Sequence, residues 1–215
     1  MSRLFEVDPA RPEDAEPAIM AATQALADGG LVVFPTETVY GIAARPDLRE
    51  ATARLFEAKR RPRGLNLPVL APTGTEAWIV AQADDRARRL AEAFWPGPLT
   101  IVLPRTRVSR HWNLGEARET VAVRVPDHAI CRLLLTSTGP TAATSANRSG
   151  RPPLQSLDEL RAAFGETVAV YLVLSPGAPP PAGAASTVVD LTGATLRVLR
   201  AGPLTLSEVE QGLDR

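Results

Sequence analysis

Leu31-Val32-Val33-Phe34-Pro35-Thr36-Glu37-Thr38-Val39-Tyr40-Gly41 is the stretch from which the rest of the chain can be read. Its first four residues are an apolar run too short for a helix, preceded by Gly29-Gly30 and stopped by Pro35, so they spell a short buried strand. The polar residues begin where that strand ends, which is where sheet proteins gather ligand contacts. Hydroxyls, a carboxylate and a glycine suit a small polar substrate. Taken alone, the same residues are an ordinary strand-to-turn connection.

Upstream, Ile19, Ala22, Thr23 and Leu26 recur at helical spacing within 12–28, and the two glycines end that helix. Downstream, Asp47 is placed to cap a helix that runs through Leu55, Phe56 and Ala58 to Lys59 and is broken by Pro62 and Gly64. Leu67–Leu70 is a strand. Asp84 caps a helix with Ala87, Leu90, Ala91 and Phe94 on one face, and the turn Trp95-Pro96-Gly97-Pro98 leads into a strand at 99–103. A strand over 120–125, a helix over 130–135, a strand over 141–144 and a helix over 157–164 follow. Strands near 168–174, 187–191 and 196–199 come next, and Thr205-x-x-Glu208 opens a last helix as a capping box. Strands and helices interleave, which predicts an α/β or closely mixed α+β domain. Several connections lack a helix, which predicts a mixed, open twisted sheet. The Pro/Gly/Ala-rich segment 175–185 reads as a surface loop, because too little chain follows it to form a second domain.

The charge balance is even, with 24 basic and 24 acidic side chains, so no global attraction to nucleic acid follows and any basic patch must be local. The single cysteine, Cys131, excludes an internal disulfide framework and argues against a cysteine metal cage. It sits in an apolar run and reads as a small core residue. No signal peptide and no membrane-length apolar run is recognisable, so a cytoplasmic protein without membrane contact is expected.

Lysine is nearly absent: 23 of the basic residues are arginine and one, Lys59, is lysine. It falls in Ala58-Lys59-Arg60-Arg61-Pro62-Arg63, where four positive charges leave a helix C-terminus. Complementing the helix dipole is one explanation. A clamp for a polyphosphate is the other, and four residues exceed what a dipole needs. Neither a P-loop nor a Gly-x-Gly-x-x-Gly pattern exists, so any ATP site is of another kind. Thr144-Ser145-Ala146-Asn147-Arg148-Ser149-Gly150 packs hydroxyl, amide and glycine into a tight turn, either an Asx turn or a set of directional donors for an adenylate. In Val121-Ala122-Val123-Arg124-Val125-Pro126 a charge interrupts an apolar strand, and such an arginine needs an anionic partner, internal or substrate. Ser186-Thr187-Val188-Val189-Asp190 follows the Pro/Gly loop.

Together these segments resemble the YrdC/Sua5 family. The resemblance is carried by 34–41, by Lys59-x-Arg61-Pro62, by Trp95-Pro-Gly-Pro-Leu-Thr100, by 121–126, by Thr144-Ser-Ala-Asn-x-Ser-Gly150 and by 186–190, in the family's order over nearly the whole chain. It implies one YrdC-like domain over 1–215, with a core of roughly 12–205 and a large concave cleft. It implies synthesis of L-threonylcarbamoyladenylate from L-threonine, bicarbonate or CO2, and ATP, for N6-threonylcarbamoyladenosine in tRNA. Carried over to this chain, Lys59 and Arg61 are the catalytic pair. Lys59, Arg61, Arg63, Ser145, Asn147 and Arg200 hold ATP, and Thr36, Arg124 and Ser186 hold threonine. Mg2+ arrives with ATP and takes no ligand from protein side chains. The product is passed to a separate transferase complex, which implies a transient partner. Gly64-Leu65-Asn66-Leu67 departs from the family, which usually has Lys or Asn, then Pro or Gly, then Leu, so a polar contact is missing at Leu65. The 174–177 stretch departs as well.

Two rival functions remain at this level. One is carbamoyl transfer, the role of this fold in long hydrogenase-maturation proteins that also carry zinc-finger-like cysteines. The other is a non-enzymatic module holding tRNA or double-stranded RNA in the basic cleft; the even charge balance and the lack of aromatic-interleaved basic stretches speak against it.

Overall fold

A computed structural model describes residues 1–214. Residues Leu31, Val32, Val33 and Phe34 are all fully buried, and the reason lies in the pleat. Successive side chains point to opposite faces of a strand, and both faces of β2 (Val32–Phe34) are covered. Val32 and Phe34 join a cluster with Ile19, Ala22 and Leu26 of α1 (Glu16–Ala27) and with Ile130, Leu134 and Leu135 of α6 (Ala129–Thr138). Leu31 and Val33 join the other cluster, with Leu55 and Phe56 of α2 (Arg49–Lys59) and Leu90 of α4 (Asp85–Phe94). The sheet therefore lies between two helical layers.

The remaining elements are β1 (Arg3–Val7), β3 (Gly41–Ala44), β4 (Val69–Leu70), α3 (Gly74–Val80), β5 (Leu99–Pro104), α5 (Arg107–Arg110), β6 (Thr120–Arg124) and β7 (Thr141–Ser145). They are followed by α7 (Leu157–Phe164), β8 (Val170–Leu174), β9 (Thr187–Asp190), β10 (Arg197–Arg200) and α8 (Leu206–Leu213). The strands form one sheet in the order β1-β8-β2-β3-β7-β4-β6-β5-β9-β10. It is mixed, as the short connections predict: β1/β8, β2/β8, β4/β6 and β5/β9 are parallel, the other pairs antiparallel. No helix among the described residues is long and apolar enough to cross a membrane.

Several local expectations change. The opening helix is a 3-10 turn over Pro12–Ala15 followed by α1. Asp47 does not cap α2; Leu48 occupies the N-cap position without a side-chain bond, because Arg45 takes the Asp47 carboxylate in an ion pair. Asp84, Ser156 and Thr205 do cap α4, α7 and α8 with their side chains. Gly41, the last residue of the opening stretch, has a steric role: a Cβ there would lie 2.7 Å from Phe34 Cζ, so a side chain would collide with the buried ring across the β2/β3 pair.

Candidate active site

The sheet order explains why segments distant in sequence meet. β3 and β7 pair antiparallel with Gly41 opposite Ser145, which sets the 35–41 stretch beside the 144–150 turn. β4 links β7 to β6, placing Leu70 opposite Arg124. β5 joins β6 to β9, with Leu99 opposite Thr187. The ends of β2, β6 and β7 and the starts of β3, β5 and β9 thus open onto one cleft of about 320 Å³.

Thr36, Arg61, Arg124, Ser145, Ser186 and Arg200 all line that cleft. Thr36 is buried, and its Oγ1 braces its own loop, donating to the Val39 carbonyl and accepting from the Val39 and Thr38 amides. The loop is tied on both sides: the Tyr40 carbonyl accepts from the Ala146 amide, and the Tyr40 hydroxyl oxygen accepts from the Leu174 amide. The Pro/Gly/Ala segment is a surface loop as expected, and it is pinned here, Ala182 and Gly183 donating their amides to the carbonyls of Glu37 and Thr38.

Arg124 is the charge that interrupts β6, and its partner is internal. Its Nη2 meets Glu37 Oε1 at 2.6 Å, and its Nε donates to the Gly97 carbonyl. Arg61 donates Nε and Nη2 to the carbonyls of Leu65 and Asn66. Leu65 and Asn66 thus serve Arg61 through their backbone carbonyls, which do not depend on the side chain at 65. Arg200 donates to the Ser186 carbonyl and Oγ. Neither Arg61 nor Arg200 has an ion-pair partner among the described residues, and no acidic side chain lines the cleft. Burial and then the Arg200 guanidinium push Arg61 below its ordinary pKa; burial and then Arg124 do the same to Arg200. Three guanidiniums converge on one space with a single neighbouring carboxylate to balance them, and such a site is complementary to an anion.

Lys59 stands differently from the sequence expectation of a cleft-facing ammonium. It is 1% exposed, at the C-terminus of α2, and its Nζ donates to the carbonyls of Ser145 and Asn147, both at 2.5 Å. The Ser149 amide returns a bond to the Lys59 carbonyl. Lys59 therefore stitches the helix end to the hydroxyl-amide turn from behind the cleft wall. Burial, then the charge of Arg61, brings its pKa down to about 7. Asn147 is also behind the wall; its Nδ2 donates to the carbonyls of Arg148 and Arg151, while Oδ1 is buried without a partner. Arg63 leaves the cluster altogether and lies over the Phe56 ring, 4.5 Å from its centroid.

The Sua5/YciO/YrdC family profile, described as "Telomere recombination", matches residues 24–202. The chain belongs to this family. A Mycobacterium leprae protein named, provisionally, as a threonylcarbamoyl-AMP synthase is 44% identical over 215 residues, 99% of this chain and 96% of its own length. A Pyrococcus abyssi threonylcarbamoyl-AMP synthase is 38% identical over 195 residues, covering 90% of this chain and 56% of the archaeal one. The crystal structure of P. abyssi Sua5 complexed with L-threonine superposes with a TM-score of 0.81 at 33% identity, over 99% of this chain and 60% of that one. The Sua5/YciO/YrdC match encloses every residue singled out above, from Thr36 to Arg200.

Within this Sua5/YciO/YrdC cleft, some participants escaped the sequence reading. Thr100 lines the cleft and its hydroxyl is 2.8 Å from Ser186 Oγ, a contact created by the parallel β5/β9 pair. Its signal was its place just after the Pro-Gly-Pro turn, at the start of a strand. Thr38, Leu65 and Leu199 also line the cleft, and Leu199 is 56% exposed despite being apolar.

Proposed function

We propose that this cleft forms L-threonylcarbamoyladenylate and pyrophosphate from L-threonine, bicarbonate or CO2, and MgATP, in the cytoplasm, for N6-threonylcarbamoyladenosine in tRNA. The observation that carries the reading is the convergence of Arg61, Arg124 and Arg200 on a cleft without an acidic wall. It is joined by the enzyme names of the two relatives and by the threonine complex of P. abyssi Sua5.

The chemistry requires no protein nucleophile. The threonine amine adds to CO2, losing a proton, and gives a carbamate. A carbamate oxygen attacks the α-phosphorus of ATP, the bond to the bridging oxygen breaks, and pyrophosphate leaves. Catalysis is then positioning together with stabilisation of charge on phosphate oxygens. Arg124, fixed in direction by Glu37 and the Gly97 carbonyl, holds the threonine carboxylate with Ser186 and Thr36. Arg61 and Arg200 face the phosphates, and Ser145 the adenylate. Lys59 and Asn147 hold the turn on which Ser145 sits, and the ammonium adds its positive charge from a poorly hydrated place behind that turn. Mg2+ enters as part of the nucleotide substrate.

The test is pyrophosphate release with ATP, Mg2+ and bicarbonate, run beside a salt-titrated RNA-binding measurement. Release that depends on L-threonine is the expected result. Tight RNA binding at physiological salt without threonine-dependent release would move the assignment to an RNA-binding module.

A further inference from the structure

We propose that a second cavity, lined in part by Trp95 and Pro96, binds a free apolar α-amino acid. Its volume is about 490 Å³, it shares no lining residue with the cleft, and it lies within the size range of small-molecule sites, ~300–1,000 Å³.

Its lining is mixed, with an apolar part and a polar part that includes Thr73 and Thr75. Trp78 of α3 and Trp95 stack with centroids 5.2 Å apart, and Ala91 and Val125 complete that side. Around the apolar part stand three charges, Arg88 and Glu92 from α4 and Arg132 from α6. All three are exposed side chains, and none has an ion-pair or hydrogen-bond partner among the described residues, which leaves them free to meet a ligand at the cavity's rim. Arg88 and Glu92 are one helical turn apart, where opposite charges readily pair. They do not, because the Arg88 guanidinium lies over the Trp78 ring, 5.8 Å from its centroid. The Trp78 indole N–H is likewise without an acceptor among the described residues, whereas that of Trp95 donates to the Leu99 carbonyl.

This donor set selects its ligand. Two guanidiniums and an indole N–H recognise a carboxylate. The remaining carboxylate, Glu92, recognises an ammonium and repels a polyanion such as a nucleic-acid backbone. Tryptophan, alanine and valine surfaces take an apolar body. A zwitterion with an apolar side chain answers all three, whereas a simple apolar amine would meet the two guanidiniums and a fatty acid would meet Glu92.

Isothermal titration calorimetry of the full chain with L-leucine and L-phenylalanine tests the proposal, with their amides and N-acetyl derivatives as controls. Saturable binding of the free amino acids is expected, weakened about tenfold or more when either charge is removed. Arg132→Ala, at an exposed position, is expected to weaken binding by about tenfold or more, and Glu92→Gln by several-fold, with unchanged circular dichroism and unchanged pyrophosphate release. The cleft variant Arg200→Ala should bind these amino acids as the wild type does. No saturation up to about ten millimolar, equal binding of the amides or N-acetyl derivatives, insensitivity to Arg132→Ala, loss in Arg200→Ala, or binding of an RNA oligonucleotide in place of amino acids would each overturn it.

Discussion

Replacing Lys59 with methionine removes an ammonium while keeping a straight side chain of similar length, so the effect is on charge and hydrogen bonding more than on volume. In the wild type the ammonium serves two carbonyl oxygens, Ser145 and Asn147, at 2.5 Å, in a place 1% exposed. Hydrogen bonds to a charged group contribute about 1.5–3 kcal/mol each, so the two together amount to roughly 3–6 kcal/mol. Withdrawing an ammonium from water opposes this by several kcal/mol, which is the effect that brings the Lys59 pKa down to about 7. The difference is a loss of about 1–3 kcal/mol in Lys59→Met, or about 3–10 °C in melting temperature for a chain of this size. Activity should fall much further, by about a hundredfold or more, because a shifted turn misplaces Ser145 and the positive charge behind the proposed phosphate site is gone. Thermal unfolding followed by circular dichroism and threonine-dependent pyrophosphate release measure the two effects. Wild-type melting together with wild-type turnover would refute the reasoning, since neither the turn nor the charge would then matter.

Further outcomes follow from the same geometry. Lys59 titrates near 7 folded and near 10.5 unfolded, so between these values the unfolded chain binds more protons and stability rises with pH. The stability gap between wild type and Lys59→Met should therefore widen from pH 7 to pH 9, by up to about 1.4 kcal/mol per pH unit, and a constant gap in denaturant titrations at the two pH values would contradict this. Arg124→Ala leaves the Glu37 carboxylate without its partner and removes the group proposed to face threonine; kcat/KM for threonine should fall at least about thirtyfold, the low end for truncating a hydrogen-bonded charge pair. Arg105 is fully buried and donates to the carbonyls of Ser109, Trp112, Ala117 and Thr120, so Arg105→Met should lower stability by about 3–5 kcal/mol, visible as a lower denaturant midpoint.

Arg105 also shows where sequence reading stops. A charged residue after Pro104 looks like an exposed loop residue, yet it organises the chain from Ser109 to Thr120, a segment whose four-residue helix α5 has no periodicity of its own to announce it. β1 was hidden for a related reason: as an edge strand its residues are mostly half-exposed, so Arg3-Leu4-Phe5-Glu6-Val7 lacks the apolar run that made β2 visible. β3 is Gly-Ile-Ala-Ala, short and small, and becomes a strand because Phe34 and the β7 backbone lie against it. By contrast α4, α7 and α8 carry local caps and a clear apolar face, and their existence follows from nearby residues alone.

The site divides in the same way. The resemblance named Thr36, Arg61, Arg124, Ser145, Ser186 and Arg200 together, and all six line one cleft, where strand ends, the start of β9 and the segment after α2 meet. Direction was not legible. Whether a lysine at a helix C-terminus faces solvent, ligand or backbone depends on what the β3/β7 register places beneath it, and here that is the pair of carbonyls at 145 and 147. Arg63, two residues beyond Arg61, turns instead onto the Phe56 ring.

The central claim is that the cleft joins threonine, one-carbon acid and adenylate in a single molecule. Mass spectrometry of the reaction with 13C-bicarbonate, L-threonine and MgATP tests it most directly. A threonylcarbamoyl-AMP ion that carries the labelled carbon and disappears when threonine is omitted or Arg124 is changed to alanine is expected. A labelled product independent of threonine, or none from folded protein supplied with all three substrates, would contradict it.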